Sequence, residues 1–144
     1  MQDDLLEIPH DFKIYKDRAI FVGTFLGGPL VAGYLTAENF KKLEQPEKVW
    51  MAWGISILVT IAIFAGVFLV PAFAKVPRYI IPILYAGIAQ WVVQKFQGDA
   101  IKSHIENGGP IYSVWRSVWI GALGSVVLVA IIFLIILLLG QQNL

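Results

Sequence analysis

Cysteine is absent from the 144 residues, which excludes disulfides, thiolate metal sites and cysteine nucleophiles. Charged residues are scarce at 15%, where an average soluble domain has about 25%. Basic and acidic residues nearly balance, and no nucleic-acid motif is present, so nucleic acid is not expected as a partner. No P-loop, HExxH motif or dinucleotide fingerprint occurs. The sequence therefore predicts no catalytic residue, no metal site and no cofactor.

Hydrophobic residues make up 58% of the chain, where a soluble domain averages about 45–50%. A single core in so short a chain has no room for that much apolar surface. The composition predicts an all-α integral membrane protein whose apolar surface faces the lipid bilayer. Residues 1–18 carry five acidic residues and lack the basic start of a signal peptide, so they are expected to form a hydrophilic tail.

Four stretches without charge predict a single helical membrane domain over residues 19–144. The predicted elements are a broken segment at 19–37, helices at 49–74, 79–96 and 115–140, and a loop at 97–114. The first and last of these helices exceed the roughly 20 residues needed to cross a bilayer core. The middle one has only 16 uncharged residues, but Arg78 and Lys95 flank it and can reach the headgroups. We expect all three helices to span.

The broken segment contains Gly27-Gly28-Pro29 near its middle. Proline removes a backbone hydrogen bond there, and the glycines add conformational freedom. One interpretation is a fourth spanning helix with a kink, because glycine and proline are common inside membranes. The other is a pair of half-helices that enter and leave the membrane on one side.

Basic residues and tryptophans distinguish the two membrane faces. The loops 38–48 and 95–116 carry six lysines and arginines, whereas Lys75 and Arg78 are the two on the opposite turn. The positive-inside rule therefore makes the loop face cytoplasmic. The five tryptophans fall at the same interface: Trp50, Trp53, Trp91, Trp115 and Trp119.

The tail bears on the choice between a kinked span and a re-entrant segment, because it carries Lys13, Lys16 and Arg18. If the segment spans, six lysines and arginines lie on the loop face and five on the opposite face. If the segment is re-entrant, nine lie on the loop face and two on the opposite face. The charge pattern thus raises the re-entrant interpretation to equal standing, with a cytoplasmic N-terminus.

The interiors of the apolar stretches contain no Asp, Glu, Lys, Arg or His, which argues against a proton-coupled transporter. Gln90 is the amide deepest inside a span, and it is expected to bond another helix or, less commonly, a polar substrate. Small residues recur at helical spacing, as at Gly23 and Gly27 and at Ser117 and Gly121. They favour close packing within the chain, with self-association as the alternative.

The loop 97–114 is the most polar segment outside the tail. Ile101 and Ile105 predict a short amphipathic turn, and Gly108 is placed to end it. His104 lies between acidic residues, but their spacing matches no metal motif, and a solvated histidine is the expected reading. Arg116 closes the loop before the last helix and is a further candidate residue.

The segment Phe25-Leu26-Gly27-Gly28-Pro29-Leu30 resembles that of small uncharacterised multi-pass membrane proteins of bacteria. Ser113, Trp115 and Arg116 before the last helix are similar to the same group. The resemblance implies a bacterial cytoplasmic (inner) membrane and no particular activity. By elimination we expect a non-enzymatic accessory or interaction subunit that binds itself or another membrane protein. The alternatives are a small oligomeric transporter or channel that uses the Gly27–Pro29 break and, last, an interfacial enzyme acting through His104.

Overall fold

The computed structural model describes residues 12–142. This part of the chain is helical, and its regular extended structure is limited to one parallel bridge between Ile14 and Ile111. Two short 3-10 turns, Pro46–Lys48 and Pro71–Lys75, flank the third α-helix. The helices are α1 (Asp17–Gly27), α2 (Pro29–Lys42), α3 (Val49–Leu69), α4 (Ile80–Glu106) and α5 (Val114–Gln141). The predicted tail residues 1–11, including His10, lie outside the described residues.

The first two helices form a hairpin, residues 17–42, that turns at Gly28. Gly28 has φ +84°, a conformation that favours glycine, and Pro29 begins α2, where its missing N–H costs little. At the other end the backbone of Tyr15 bonds the side chain of Asn39. We call Gly28 the tip of the hairpin and the Tyr15–Asn39 end its open end. The break predicted in this segment is confirmed at Gly28.

Helix α1 packs on the first half of α5 through small residues. A Cβ added at Gly27 would lie 2.8 Å from the Gly121 carbonyl oxygen, and one at Gly121 would lie 2.8 Å from that of Gly23. The Ser125 hydroxyl donates to the Leu26 carbonyl, next to the tip. The two backbones therefore lie in direct contact, which larger residues at these positions would prevent.

Helix α2 packs on α3 through a second contact between small residues, Gly33 and Ser56. Helix α4 runs along the hairpin, from Tyr85 near Phe25 to Gln97 near Asn39. All three long helices therefore contact the hairpin. Their backbones do not pack closely on one another, because no Cα atom of α3, α4 or α5 lies within 8 Å of a Cα atom of the other two. The hairpin is the centre of the described structure.

Two predicted segments differ from the structure. Helix α4 continues to Glu106, so the loop predicted at 97–114 is helical over its first ten residues. The reason is a buried face formed by Gln97, Ile101 and His104 at helical spacing, with the charged residues on the opposite side. The end of the predicted tail is also packed, since Ile14 and Tyr15 are almost fully buried.

Two helices in the described part of the chain are long and apolar enough to cross a membrane. They are Pro46–Leu69, which includes the turn before α3, and Val114–Gln141. Only 11% and 0% of their most apolar windows are buried. A core helix of a soluble protein would bury most of such a window. Helix α4 joins an apolar half to a charged continuation, and its crossing of a membrane stays a prediction.

Candidate functional site

A polar cluster closes the open end of the hairpin. The Tyr15 N–H donates to Asn39 Oδ1 at 2.7 Å, and Asn39 Nδ2 donates to the Tyr15 carbonyl at 2.7 Å. Asn39 Nδ2 also donates to Gln97 Oε1 at 3.2 Å, and Gln97 Nε2 donates to the Thr36 carbonyl at 3.1 Å. Asn39 and Gln97 are buried, and each has its amide satisfied from both ends. We call these four residues the amide clasp. At the open end of the hairpin it ties the segment before α1 and the end of α2 to α4.

Gln90, a candidate from the sequence, belongs to a second contact beside the clasp. Gln94 Nε2 donates to Asp17 Oδ2 at 2.8 Å, and Gln90 Nε2 lies 3.5 Å from the same oxygen. Burial raises the pKa of Asp17, but hydrogen bonds from Gln94, the Arg18 backbone and Gln90 outweigh it and lower the pKa below its ordinary value. Asp17 also opens α1, where the helix dipole favours a negative charge. Gln90 thus bonds another helix.

Arg116 lies against the residues that precede α1. Its Nε donates to the Tyr15 hydroxyl at 2.9 Å, and its guanidinium carbon lies 4.6 Å from the centre of the Tyr112 ring. Burial raises the pKa of Tyr15, while the hydrogen bond and positive charge of Arg116 oppose that rise. Arg116 therefore fixes the start of α5 to the open end of the hairpin, a role that its position in the sequence does not reveal.

His104 is buried rather than solvated, which differs from the expectation. Its Nε2 lies 2.8 Å from the Pro110 carbonyl, and its ring stacks on Phe12 with centroids 4.9 Å apart. Gly109 packs directly on the ring, where a Cβ would lie 2.6 Å from the imidazole Cδ2. His104 therefore holds the turn between α4 and α5 against the segment that enters α1.

The acidic neighbours of His104 do not converge with it. Asp99 and Glu106 are exposed and stand about 140° and 160° around the helix from His104, at 100° per residue. Glu106 lies 4.0 Å from Lys102. No group of three His, Cys, Asp or Glu suited to a metal ion occurs within residues 12–142.

The tip, with its candidate residues Gly27, Gly28 and Pro29, adjoins a cavity of about 280 Å³. Gly28 itself has open space at the position of a Cβ, while Gly27 is in contact with α5. The cavity wall is mostly apolar, and its polar members are Thr60, Arg78 and Tyr85. Gln90 does not line it. The structure thus places a cavity beside the break but leaves the predicted amide outside it.

A larger groove of about 340 Å³ lies between α3 and α4, with α2 as its floor. It exists because α3 and α4 both pack on the hairpin while their backbones stay apart from each other. The floor includes the small residues Ala32 and Gly33, and the walls carry large apolar side chains. The wall residues include Ile55, Val59, Ile63, Leu84, Ile88, Val92 and Phe96. We call this the α3–α4 groove.

The comparisons with known proteins add no relative. No family model matches this chain, and neither does any curated protein or solved structure.

Proposed function

We propose that this chain is a multi-pass protein of the bacterial cytoplasmic membrane and a small non-enzymatic accessory or interaction subunit. The observation that carries the proposal is the absence of close backbone packing among α3, α4 and α5. Helices of a self-sufficient membrane bundle pack on their neighbours. Here the closest helix packing of each long helix is on the hairpin, which leaves lateral faces open to another membrane protein. The bacterial origin rests on the resemblance of residues 25–30 to a segment of small bacterial membrane proteins.

Insertion into a bilayer is supported by exposed apolar surface. Helices α3 and α5 carry long apolar faces that nothing in the described chain covers. Trp50, Trp91, Trp115 and Trp119 are each at least 60% exposed. Tryptophan rings favour the headgroup region, where one edge is wet and the other apolar. A bilayer satisfies both features, and the apolar half of α4 is the third span.

The hairpin is proposed to be re-entrant. Helices α1 and α2 have 11 and 14 residues, which correspond to about 16 and 21 Å against a bilayer core of about 30 Å. Its open end lies beside Gln97 and Arg116, at the end of the structure where the lysine-rich and arginine-rich loops lie. This arrangement agrees with the charge bias of nine against two, which makes that face cytoplasmic.

The interaction role is tested by the state of the chain in its native membrane. The distal half of α5, residues 126–141, is almost entirely exposed, so a photo-crosslinking residue at Leu134 samples the open face. The control places the photo-crosslinking residue at position 20, where Ile20 is fully buried. We expect Leu134 to capture one protein of discrete mass that also co-purifies at constant stoichiometry. A chain that purifies alone and forms only lipid adducts at Leu134 contradicts the proposal.

A second candidate function, a small oligomeric transporter or channel, is favoured by the cavity beside the tip. Broken helices in membranes occur where backbone faces a cavity or the protein interior. The mostly apolar wall limits this candidate to apolar or weakly polar solutes. It predicts a homo-oligomer whose solute flux into proteoliposomes falls when Thr60→Trp fills the cavity from its wall, with Gly140→Trp as control. Unchanged flux in Thr60→Trp, or absence of flux from the unaltered chain, removes it.

A further inference from the structure

The α3–α4 groove is long enough for a lipid acyl chain. On α4 its lining runs from Ile81 to Phe96, a distance of about 22 Å at 1.5 Å per residue. One leaflet contributes about 15 Å to the bilayer core, so the groove is long enough for a complete chain. Its wall is apolar almost throughout. An apolar groove of this length suits an extended hydrocarbon chain.

The side chains of the groove argue against a transmembrane helix as its occupant. Helices that associate in membranes bring their backbones together through small residues. Two tight contacts between small residues are already made within the chain, Gly27 against Gly121 and Gly33 against Ser56. Ala32, another small residue of the groove, lies on its floor between the walls. The walls carry Ile88 and other large side chains, which keep a second backbone at a distance but contact a thin chain well.

Two lysines stand at the end of the groove that lies next to the amide clasp. Lys48 Nζ lies 5.8 Å from the centre of the Phe40 ring, which lines the groove. Lys95 Nζ lies 5.2 Å from the centre of the Trp91 ring, which lies beside the groove without lining it, and Lys95 precedes the groove residue Phe96. Within residues 12–142 the ion pairs join Lys41 to Glu38 and Lys102 to Glu106. Lys48 and Lys95 thus have no carboxylate partner among the described residues.

We propose that the α3–α4 groove binds an anionic phospholipid, with an acyl chain along the groove and the headgroup phosphate at Lys48 and Lys95. The positive charge of the two lysines matches the headgroup phosphate, and the apolar wall of the groove matches the acyl chain. A headgroup near the membrane surface gains about 1 kcal/mol from each lysine, which corresponds to about a fivefold change in affinity. The proposal rests on membrane insertion but not on the accessory role.

The test uses the full chain in vesicles of phosphatidylcholine that contain phosphatidylglycerol with a photoactivatable acyl chain. Peptide mass spectrometry maps the adducts. We expect them to concentrate at Ile55 and Ile88 relative to Val129, which is exposed on α5. Unlabelled phosphatidylglycerol is expected to compete at the groove, and phosphatidylcholine is not. Equal labelling of groove and α5 indicates only the lipid that surrounds any membrane protein and overturns the proposal.

Two sets of variants, each with a control, test the headgroup contact and the acyl-chain contact separately. Lys48→Gln with Lys95→Gln is expected to reduce groove labelling by an order of magnitude or more, whereas the control Lys102→Gln leaves it unchanged. Ala89→Phe, inside the groove, is expected to abolish labelling at Ile88, and Ala130→Phe on exposed α5 is its control.

Other outcomes would also overturn the proposal. Groove labelling that survives loss of both lysines excludes an anionic headgroup as its determinant. A groove protected from lipid because a second copy covers it, seen as a dimer in the same vesicles, excludes lipid as occupant. Labelling on α5 alone overturns this proposal while membrane insertion stands, and absence of labelling everywhere overturns both.

Discussion

Asn39 bonds the backbone of Tyr15 through both ends of its side-chain amide, although 24 residues separate them. In one continuous helix two such residues would lie about 36 Å apart. The contact therefore requires the chain to reverse, and it does so at Gly28, where φ is +84°. This single side chain ties the start of α1 to the end of α2 and, through Gln97, to α4.

The first prediction concerns that clasp. Asn39→Ala leaves the Tyr15 N–H, the Tyr15 carbonyl and Gln97 Oε1 without partners in a buried place. Each unpaired buried group costs about 1–3 kcal/mol, so we expect a loss of at least about 2 kcal/mol of stability. Thermal unfolding in mild detergent measures it. Asn107→Ala, at an exposed position after α4, is the control, and equal melting temperatures of the two variants would contradict the role of the clasp.

The second prediction concerns the contact between α1 and α5. A Cβ at Gly121 would lie 2.8 Å from the Gly23 carbonyl and 2.9 Å from Leu26 Cβ. We expect Gly121→Ala to push the helices apart and to cost about 1–3 kcal/mol, as overpacking does. Gly87→Ala is the matched control, because nothing lies within 4 Å of the added carbon. The same thermal assay compares them, and a Gly121→Ala protein as stable as Gly87→Ala would exclude a tight interface.

The third prediction concerns pH. The pKa of Asp17 is lowered in the folded chain, so its ionised form stabilises the fold above the ordinary carboxyl value of about 3.9. That contribution is lost as the pH falls through the lowered pKa. At neutral pH we expect the unaltered chain to have a higher melting temperature than Asp17→Asn. We expect this difference in melting temperature to shrink when the pH falls below about 4. Asp99→Asn, on the exposed side of α4, is the control, and a difference that stays constant across pH would count against the role of Asp17.

Hydropathy predicted most of the helices because local composition governs them. The apolar runs gave α3, α5 and the first half of α4, and Gly27-Gly28-Pro29 gave the break at the tip. Gly108, with φ +75°, follows the end of α4 where the sequence predicted a helix stop. These features depend on a few adjacent residues, so the sequence is sufficient to find them.

The continuation of α4 was missed because its charges resemble those of a loop. Lys102 and Glu106 point away from the hairpin, while Ile101 and His104 are buried on the other side. The spacing of Gln97, Ile101 and His104 is the signal that would have found the helix. It was hidden because the two buried polar residues count as hydrophilic in a hydropathy profile.

The amide clasp was beyond local pattern for a different reason. Its members come from residues 15, 36, 39 and 97, and only the reversal at Gly28 brings them together. The position of Arg116 on Tyr15 likewise joins residues 101 apart. The hint that the sequence offers is an amide, Asn39, close to the apolar residues Ala37 and Phe40.

The central claim, that the hairpin enters and leaves the membrane on one side, is tested most directly by labelling single cysteines. The chain has no native cysteine, so Gln2→Cys, Glu44→Cys and Ala74→Cys each give one site without removing a basic residue. A membrane-impermeant maleimide is applied to spheroplasts and to inside-out vesicles. We expect positions 2 and 44 to react together from the cytoplasmic face and position 74 to react from the opposite face. Reaction of position 2 from the same side as position 74, opposite to position 44, would contradict the re-entrant hairpin and establish a fourth span.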